Sequence, residues 1–338
     1  MALVKTAPRT LTRTSALTGC LVVVVLMCVA SLALGTRAIA PGAVVHALVD
    51  PDAPFAATIR GLRVPRTLTA VAAGAALGLA GTVMQGVTRN PLADPGLLGV
   101  NAGASLFVIV AITWLGVTTP VGFVWFAFAG AGLATLLVYA VASRATGGAT
   151  PFRLALAGAA ITAAGTSLVT LVLLTSRTTL EQYRFWSVGS LSNPDPDALL
   201  TVLPFLLLGA LLAFSGGRAM NALALGEDAA AGLGIDLRRA KLLLGLAIVL
   251  LCGSATALAG PLAFVGLTVA HIARRFAGSD QRWALALAAA IGPALLLAAD
   301  VVGRLVARPG ELEAGIVAAF VGAPVMIALV RRGQVPVR

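Results

Sequence analysis

The chain has few charged and few aromatic residues for its length. Among 338 residues, 11% are charged and 5% are aromatic, whereas 59% are hydrophobic. The mean hydropathy is +0.98. One soluble core of this size does not bury so much apolar surface. The composition therefore excludes an ordinary soluble domain and predicts an all-α polytopic membrane protein.

Cysteine and histidine are scarce as well. Cys20, Cys28 and Cys252 lie in apolar stretches without a CxxC pair, which indicates small packing residues rather than a disulfide or metal framework. His46 and His271 are not followed by glutamate, so the HExxH motif of zinc proteases is absent. Short "GTS" and "GAS" stretches fit helix packing better than a serine protease site. We expect no catalytic residue, no metal and no cofactor.

Lysine is rarer still, because Lys5 and Lys241 are the only two. Neither follows a glycine, so the chain lacks the phosphate-binding loop that ATPases use. Any ATP-driven activity must take its energy from a partner subunit. The formal net charge of +11 is spread between apolar runs rather than gathered on one polar face, which argues against nucleic-acid binding.

The apolar runs predict about ten membrane-spanning helices, since a bilayer core about 30 Å thick needs about 20 residues per helix. They form a single domain, residues 1–338. The first run is too long for a cleaved signal peptide, so we expect an uncleaved helix. The predicted spans are 17–36, 66–86, 96–115, 120–142, 153–175, 198–215, 241–258, 260–276, 283–303 and 314–330.

The distribution of positive charge predicts the orientation of these spans. With a cytoplasmic N-terminus, 16 of the 24 Lys and Arg residues fall on the cytoplasmic side, as the positive-inside rule requires. Both termini are then predicted to be cytoplasmic, in a plasma membrane. The residues that fall outside are Arg37, Arg60, Arg63, Arg66, Arg177, Arg184, Arg304 and Arg308.

The longest cytoplasmic connection, residues 216–241, is unusually rich in charge. Its core "ALGEDAAAGLGIDLRRAK" has acids at Glu227 and Asp228, followed by basic residues that lead into the next span. A solvated loop with anchoring charges explains this pattern. Two short helices that form a docking surface for a soluble partner are the alternative, and composition alone does not choose between the two.

Several stretches resemble one family of transport proteins. These are "RVPRTLTAVAAGAALGLAGTVMQGVTRNPLADPGLLGVNAGAS" at 63–105, "LGEDAAAGLGID" at 225–236, "LAGPLAFVGLTVAHIARR" at 258–275, "LLLAADVVGRLV" at 295–306 and "PGELEAGIVAAFVGAPVMIALVRR" at 309–332. They are similar, in order and over nearly the whole chain, to the FecCD-type permeases of ATP-driven importers for iron-siderophores, haem and vitamin B12.

The resemblance implies a ten-helix permease with the type II ABC importer fold. Such a permease pairs with a second permease, identical or distinct, and the pair encloses the translocation path. Two cytoplasmic ATP-binding subunits and an extracytoplasmic substrate-binding protein complete the complex. Ferric siderophore is the expected substrate, with haem and cobalamin as alternatives.

The resemblance also assigns residues. Arg63, Arg66 and Arg304 are expected to meet acidic residues of the binding protein through their planar guanidinium groups, although snorkelling at the membrane surface explains each arginine singly. Contact with the ATPase is expected from Leu225, Gly226, Glu227, Asp228, Leu233 and Gly234.

The connection "SRATGGATPFR" matches the family's inner gate. Thr146, Gly147, Gly148 and Thr150 are its candidate gate residues, although a plain flexible loop explains them as well. Two positions depart from the family pattern, because Ala270 and Glu313 stand where the family has proline.

Four further polar residues have local hypotheses. Asn90 and Asp94 are expected to bond the backbone of a tight cytoplasmic turn. Gln85 and Asn101 are expected either to line the path or to form interhelical hydrogen bonds.

An ion-coupled secondary transporter is the alternative from another class. Such a transporter carries acids near the middle of the membrane. The 13 Asp and Glu residues here fall in connections or near predicted helix ends, with Asp300 included in that description. This placement favours the importer permease.

Overall fold

The computed structural model describes residues 9–144 and 151–331, and all regular secondary structure in these ranges is helical. The helices are α1 Arg9–Ala33, α2 Pro41–Val49, α3 Ala56–Thr58, α4 Val64–Thr88, α5 Val100–Leu115, α6 Pro120–Ser143, α7 Pro151–Thr175, α8 Arg177–Ser187, α9 Pro196–Ser215, α10 Gly217–Leu223, α11 Glu227–Gly232, α12 Leu237–Ala259, α13 Val265–Ala277, α14 Gln281–Val306 and α15 Ala314–Arg331. A π-helical turn, Ile59–Arg63, precedes α4, and a 3₁₀ turn, Pro95–Leu98, precedes α5.

The hydropathy pattern predicts the long apolar helices, whereas α2, α3 and α8 lie in stretches that it leaves as connections. Within the described ranges, seven helices are long and apolar enough to cross a membrane, and two shorter apolar segments, Val100–Leu115 and Ala314–Ala328, accompany them. Together with the short α13 they account for the ten predicted spans. The all-α membrane fold is therefore confirmed.

The bundle has two ends, which we name by their residues. The terminal end contains the beginnings of α1 and α14, together with α10 and α11. An ion pair of 3.8 Å joins Arg13 of α1 to Asp280, just before α14, and Asn221 of α10 donates to the same Asp280. The arginine end holds Arg63, Arg66 and Arg304, beside the end of α1.

Helix α4 is the centre of the bundle. In the segment 56–88, 78% of the residues in its apolar 18-residue stretch are buried, whereas 11% are buried in the corresponding stretch of α1. Gly74, Gly78 and Gly81 allow the backbones of α13 and α14 to approach it closely, because a Cβ at Gly74 would lie 2.6 Å from the carbonyl oxygen of Gly292. Small residues at such crossings maximise van der Waals contact where no hydrophobic force drives helices together.

The predicted span 260–276 differs from the structure. Helix α12 ends at Ala259, five residues follow without helical structure, and α13 begins only at Val265. Positive φ angles at Gly260 and Phe264 direct this break. Helix α13 has 13 residues, so it is about 20 Å long and is by itself shorter than a bilayer core of about 30 Å.

Asp94 joins this break to the turn between α4 and α5. Its carboxylate accepts hydrogen bonds from the N–H groups of Gly96, at 2.8 Å, and of Leu267, in the first turn of α13. Gly266 packs against Gly81 of α4, seven residues before the end of that helix. The sequence predicts that this turn bonds its own backbone, and it does. In addition, Asp94 caps the first turn of α13, which the sequence does not predict.

The segment between α1 and α4 forms a small separate core at the arginine end. It consists of α2, α3 and the π-helical turn, and Arg37 stacks over the Phe55 ring at 5.0 Å from the ring centroid. Its buried residues are Ala33, Ile39, Val44, Ala47, Ala53, Ala56 and Ile59. We call this segment, residues 34–63, the outer cap.

We predict that Gly74→Ala lowers the stability of the permease by about 1–3 kcal/mol, because the added methyl group overpacks the contact between α4 and α14. Gly19→Ala in α1 is the matched control, since a Cβ there meets no atom within 4 Å. Thermal unfolding of both variants in detergent checks this. An equal melting temperature for the two variants would contradict the packing argument.

Candidate docking and coupling sites

Arg66 is buried between two acids at the arginine end. Its Nε and Nη2 donate to Oδ1 of Asp300 at 3.0 and 2.7 Å, and its Nη1 donates to Oε2 of Glu311 at 2.8 Å. The side chain is 3% exposed, that of Asp300 is 1% exposed and that of Glu311 is 28% exposed. One carboxylate is thus locked in the core and the other lies at the surface.

Arg304 shares Asp300 with Arg66, because its Nη2 lies 2.7 Å from Oδ2 of the same carboxylate. Its Nη1 also donates to the backbone oxygens of Ser31 and Leu34, both at 3.0 Å. Arg63, Arg66 and Arg304 together carry one positive charge more than Asp300 and Glu311 balance, and the carbonyl dipoles at the end of α1 offset part of this excess.

Arg63 holds the outer cap. Its Nη1 donates to the backbone oxygen of Leu32 and its Nη2 to that of Arg37, both at 2.6 Å. All three predicted docking arginines therefore lie together, as the resemblance implies, but each guanidinium group faces inward and is at most 5% exposed.

Sequence reasoning missed the partners of these arginines. It placed Asp300 near the end of a span that stops at 303, whereas α14 continues to Val306 and buries Asp300 within the helix. The i,i+4 spacing of Asp300 and Arg304 was the available signal, since such pairs lie on one helical face. Glu311 had no such signal, because 245 residues separate it from Arg66.

The connection between α14 and α15 completes the cluster. Ser192 donates its hydroxyl to Oε2 of Glu313 at 3.0 Å and lies 3.5 Å from Oε2 of Glu311. Glu313, where the family has proline, thus binds a second loop and makes no ion pair of its own within the described residues.

The charged connection at the terminal end contains two short helices, α10 and α11, rather than an irregular loop. Gly226 and Gly234, with φ angles of 112° and 81°, frame α11. Leu225 and Leu233, next to these glycines, are 70% and 65% exposed. Glu227, which begins α11, forms an ion pair of 2.7 Å with Lys241, and Asp228 is exposed beside it.

This segment is anchored firmly to the bundle. Met220 is fully buried, and Asn221 donates to Oδ1 of Asp280 at 3.0 Å while accepting from the N–H of Gln281 at 2.7 Å. The hydrogen bond from Asn221 lowers the pKa of Asp280, with a further contribution from the charge of Arg13. Helix α10 is therefore bonded directly to the first turn of α14.

Other predicted residues have mixed outcomes. Asn101 accepts a hydrogen bond from the Thr256 hydroxyl at 3.2 Å, so it forms the interhelical bond that was one of its two alternatives. Gln85 is 2% exposed and its amide atoms have no hydrogen-bond partner among the residues that the structure describes. The candidate gate residues Thr146, Gly147, Gly148 and Thr150 lie outside the described residues, so the gate stays a prediction.

We predict that Asp300→Asn lowers stability by about 3–5 kcal/mol, because two buried guanidinium groups lose their common counter-charge. The control is Glu227→Gln, which breaks the half-exposed pair with Lys241 and should cost about 0–1 kcal/mol. Chemical or thermal unfolding in detergent measures both. Similar losses in the two variants would show that the buried cluster is not the stronger constraint.

No group of three or more His, Cys, Asp or Glu residues within 9–144 and 151–331 has a geometry that could hold a metal ion. At the arginine end the three guanidinium groups are bonded inside the protein to Asp300, Glu311 and backbone oxygens. The terminal end offers exposed leucines beside acidic residues.

Comparisons with known proteins agree with this architecture. The chain is 43% identical over 322 residues to the ferric enterobactin transport system permease protein FepD of Escherichia coli (strain K12), which covers 95% of this chain and 96% of FepD. It is 40% identical over 275 residues to the probable siderophore transport system permease protein YfiZ of Bacillus subtilis (strain 168), with 81% and 83% covered.

A third relative is the hemin transport system permease protein HmuU of Yersinia pestis, 37% identical over 274 residues, with 80% of this chain and 82% of HmuU covered. A solved structure described as a metal-chelate type ABC transporter in an inward-facing conformation superposes with a TM-score of 0.81 at 26% identity, over 94% of this chain and 99% of that one. The sequence profile of the FecCD transport family matches residues 11–332. Because this match covers nearly the whole chain, the protein belongs to the FecCD transport family.

Proposed function

We propose that this chain is the permease subunit of a binding-protein-dependent, ATP-driven importer that carries ferric siderophores across the plasma membrane. The observation that carries this proposal is the nearly full-length similarity to FepD, whose name gives ferric enterobactin as its cargo. Haem is the alternative cargo, favoured by the similarity to HmuU, and cobalamin follows from the family resemblance alone.

We propose the terminal end as the cytoplasmic side and the arginine end as the outer side. The excess of Lys and Arg in the connections of the terminal end supports this orientation. Both termini are then cytoplasmic, since α1 begins at that side and α15 starts at the opposite end, three residues after Glu311.

Residues 216–241 form the proposed dock for the cytoplasmic ATP-binding subunits. The exposed Leu225 and Leu233 are apolar anchors of the kind that fill pockets in interfaces. The anchoring of α10 on α14 through Asn221 and Asp280 provides a mechanical connection from this dock to the membrane helices. Nucleotide binding in the partner would move α10 and, with it, the first turn of α14.

The exposed face of α7 is the proposed contact surface for a second permease subunit. Its exposed residues include Ala159, Ala163, Thr166, Ser167 and Thr170, interspersed with leucines such as Leu171. Three of its hydroxyl groups are satisfied by backbone carbonyls four residues earlier. Small and hydroxyl residues favour contact with protein over contact with lipid, so we place the partner permease, identical or distinct, on this face.

At the outer side, Arg63, Arg66 and Arg304 are the proposed docking region for the extracytoplasmic binding protein. Carboxylates of that protein match guanidinium chemistry. The burial of all three arginines argues against simple anchoring at lipid headgroups and supports a role in protein contacts.

The orientation predicts the labelling of two single-cysteine variants. A cysteine at Ala229, exposed in α11, should react only with a thiol reagent that reaches the cytoplasm, and one at Asn193, exposed before α9, only with a reagent outside. Labelling in right-side-out vesicles with a membrane-impermeant maleimide makes the measurement. The reverse pattern would overturn the orientation.

The transport proposal is tested by uptake into proteoliposomes that contain the whole complex. ATP-dependent accumulation of a ferric siderophore is expected, with little accumulation of haem under the same conditions. Haem uptake without siderophore uptake would establish the alternative cargo. If neither compound is taken up, the proposal is overturned.

In the same assay, Asp228→Arg and Leu233→Asp should each weaken ATPase binding by about 2 kcal/mol, or about 30-fold, and lower uptake accordingly. The matched control is Asp197→Arg, which reverses an exposed first-turn acid of α9 at the opposite end. Co-purification of the ATPase reports binding directly. Full uptake with the ATPase retained in both variants would return residues 216–241 to a solvated connection.

A further inference from the structure

The three buried arginines differ in whether their partners can be replaced. Arg63 donates to backbone oxygens of Leu32 and Arg37, and Arg304 donates to those of Ser31 and Leu34. Releasing these bonds would unravel the end of α1 and the outer cap. Arg66 alone gives one of its N–H groups, at Nη1, to an acidic side chain at the surface, that of Glu311.

Glu311 is held less firmly than Asp300. Asp300 lies within α14, is 1% exposed and is bound by two guanidinium groups. Glu311 lies in the non-helical connection before α15, and its side chain is 28% exposed. Within the described residues its side chain accepts hydrogen bonds only from Nη1 of Arg66 at 2.8 Å and, more weakly, from the Ser192 hydroxyl at 3.5 Å. Rotation of its side chain would free Nη1 without disturbing a helix.

A freed Nη1 demands another acceptor. The Arg66 side chain is only 3% exposed, so water reaches it poorly, and an unpaired buried donor on a charged group is costly. A carboxylate from outside supplies the same charge and the same two oxygens as Glu311. The position of Glu311 at the surface is where such a carboxylate would enter.

We propose that Glu311 is an internal competitor of the binding protein: a carboxylate of that protein displaces Glu311 from Nη1 of Arg66 on docking, and Glu311 returns on release. This inference rests on the proposed docking function and deepens it. Arg66 becomes the contact residue, whereas Arg63 and Arg304 are positioning residues that hold the outer cap and Asp300. Ser192, already close to Glu311, receives the displaced carboxylate.

The exchange is tested with Glu311→Gln, which keeps the length of the side chain and one carbonyl oxygen but removes the charge that competes for Arg66. The matched control is Glu313→Gln, two residues away, which removes the same charge but contacts Ser192 and no arginine. The probe is the binding protein that supports uptake by the reconstituted complex, loaded with its ferric siderophore. Its affinity is measured on the complex in nanodiscs.

Glu311→Gln should capture the binding protein about tenfold more tightly than the unmodified complex, a change of about 1.4 kcal/mol, whereas Glu313→Gln should change capture little. Equal capture by the two variants would overturn the exchange, since only a general charge effect would remain. If Glu311→Gln does not fold, Glu311→Asp provides the same test, because its shorter side chain reaches Nη1 poorly.

Arg66→Lys separates failure of the exchange from failure of docking itself. Lysine keeps the charge but lacks the planar fork, so it should weaken capture about tenfold if a carboxylate docks there. Weakened capture in Arg66→Lys with no gain in Glu311→Gln would leave docking intact and overturn the exchange alone. Unchanged capture in Arg66→Lys would overturn docking and the exchange together.

Discussion

The carboxylate of Asp300 is the constraint on which the arginine end depends. It lies between the guanidinium groups of Arg66 and Arg304, and all three side chains are at most 3% exposed. Charges so poorly solvated require partners. Asp300 therefore fixes α14 against α4, and Arg304 extends the same cluster to the end of α1 through backbone oxygens. The position of the outer cap depends on the same region, because Arg63 donates to the backbone of the cap beside this cluster.

The middle and the terminal end of the bundle rely on different interactions. Close backbone contacts at Gly74, Gly78 and Gly81 hold α4 against α13 and α14. Asp94 caps the half-length α13 from the turn after α4. From there, α13 leads through a short turn to Asp280, to which Asn221 of α10 is bonded. The proposed ATPase dock and the centre of the bundle are thus connected by contiguous contacts, which is a physical route for coupling.

The two ends suit partners of different chemistry. The terminal end presents exposed leucines and acids on short helices. At the arginine end the three arginines are buried. Within the part of the chain described, Glu311 is their one acidic partner with an exposed side chain. A surface that satisfies its own arginines avoids unpaired buried charge when no partner is bound. Under the proposed exchange, the partner then competes with an internal carboxylate, and release does not leave Arg66 without an acceptor.

The sequence by itself determined the class of protein, the helices and the local turns, because these depend on composition and on neighbouring residues. Apolar runs of bilayer length predicted the spans, and Asn90 and Asp94 predicted their own backbone bonds, which the structure confirms. Motif resemblance placed the arginines and the charged connection, whose short helices composition alone left open. Only the tertiary structure decided which side chains meet. Arg66 and Asp300 are 234 residues apart, and Asp94 reaches α13 across the bundle. Such pairings follow from how helices pack, and no local pattern of residues records that packing.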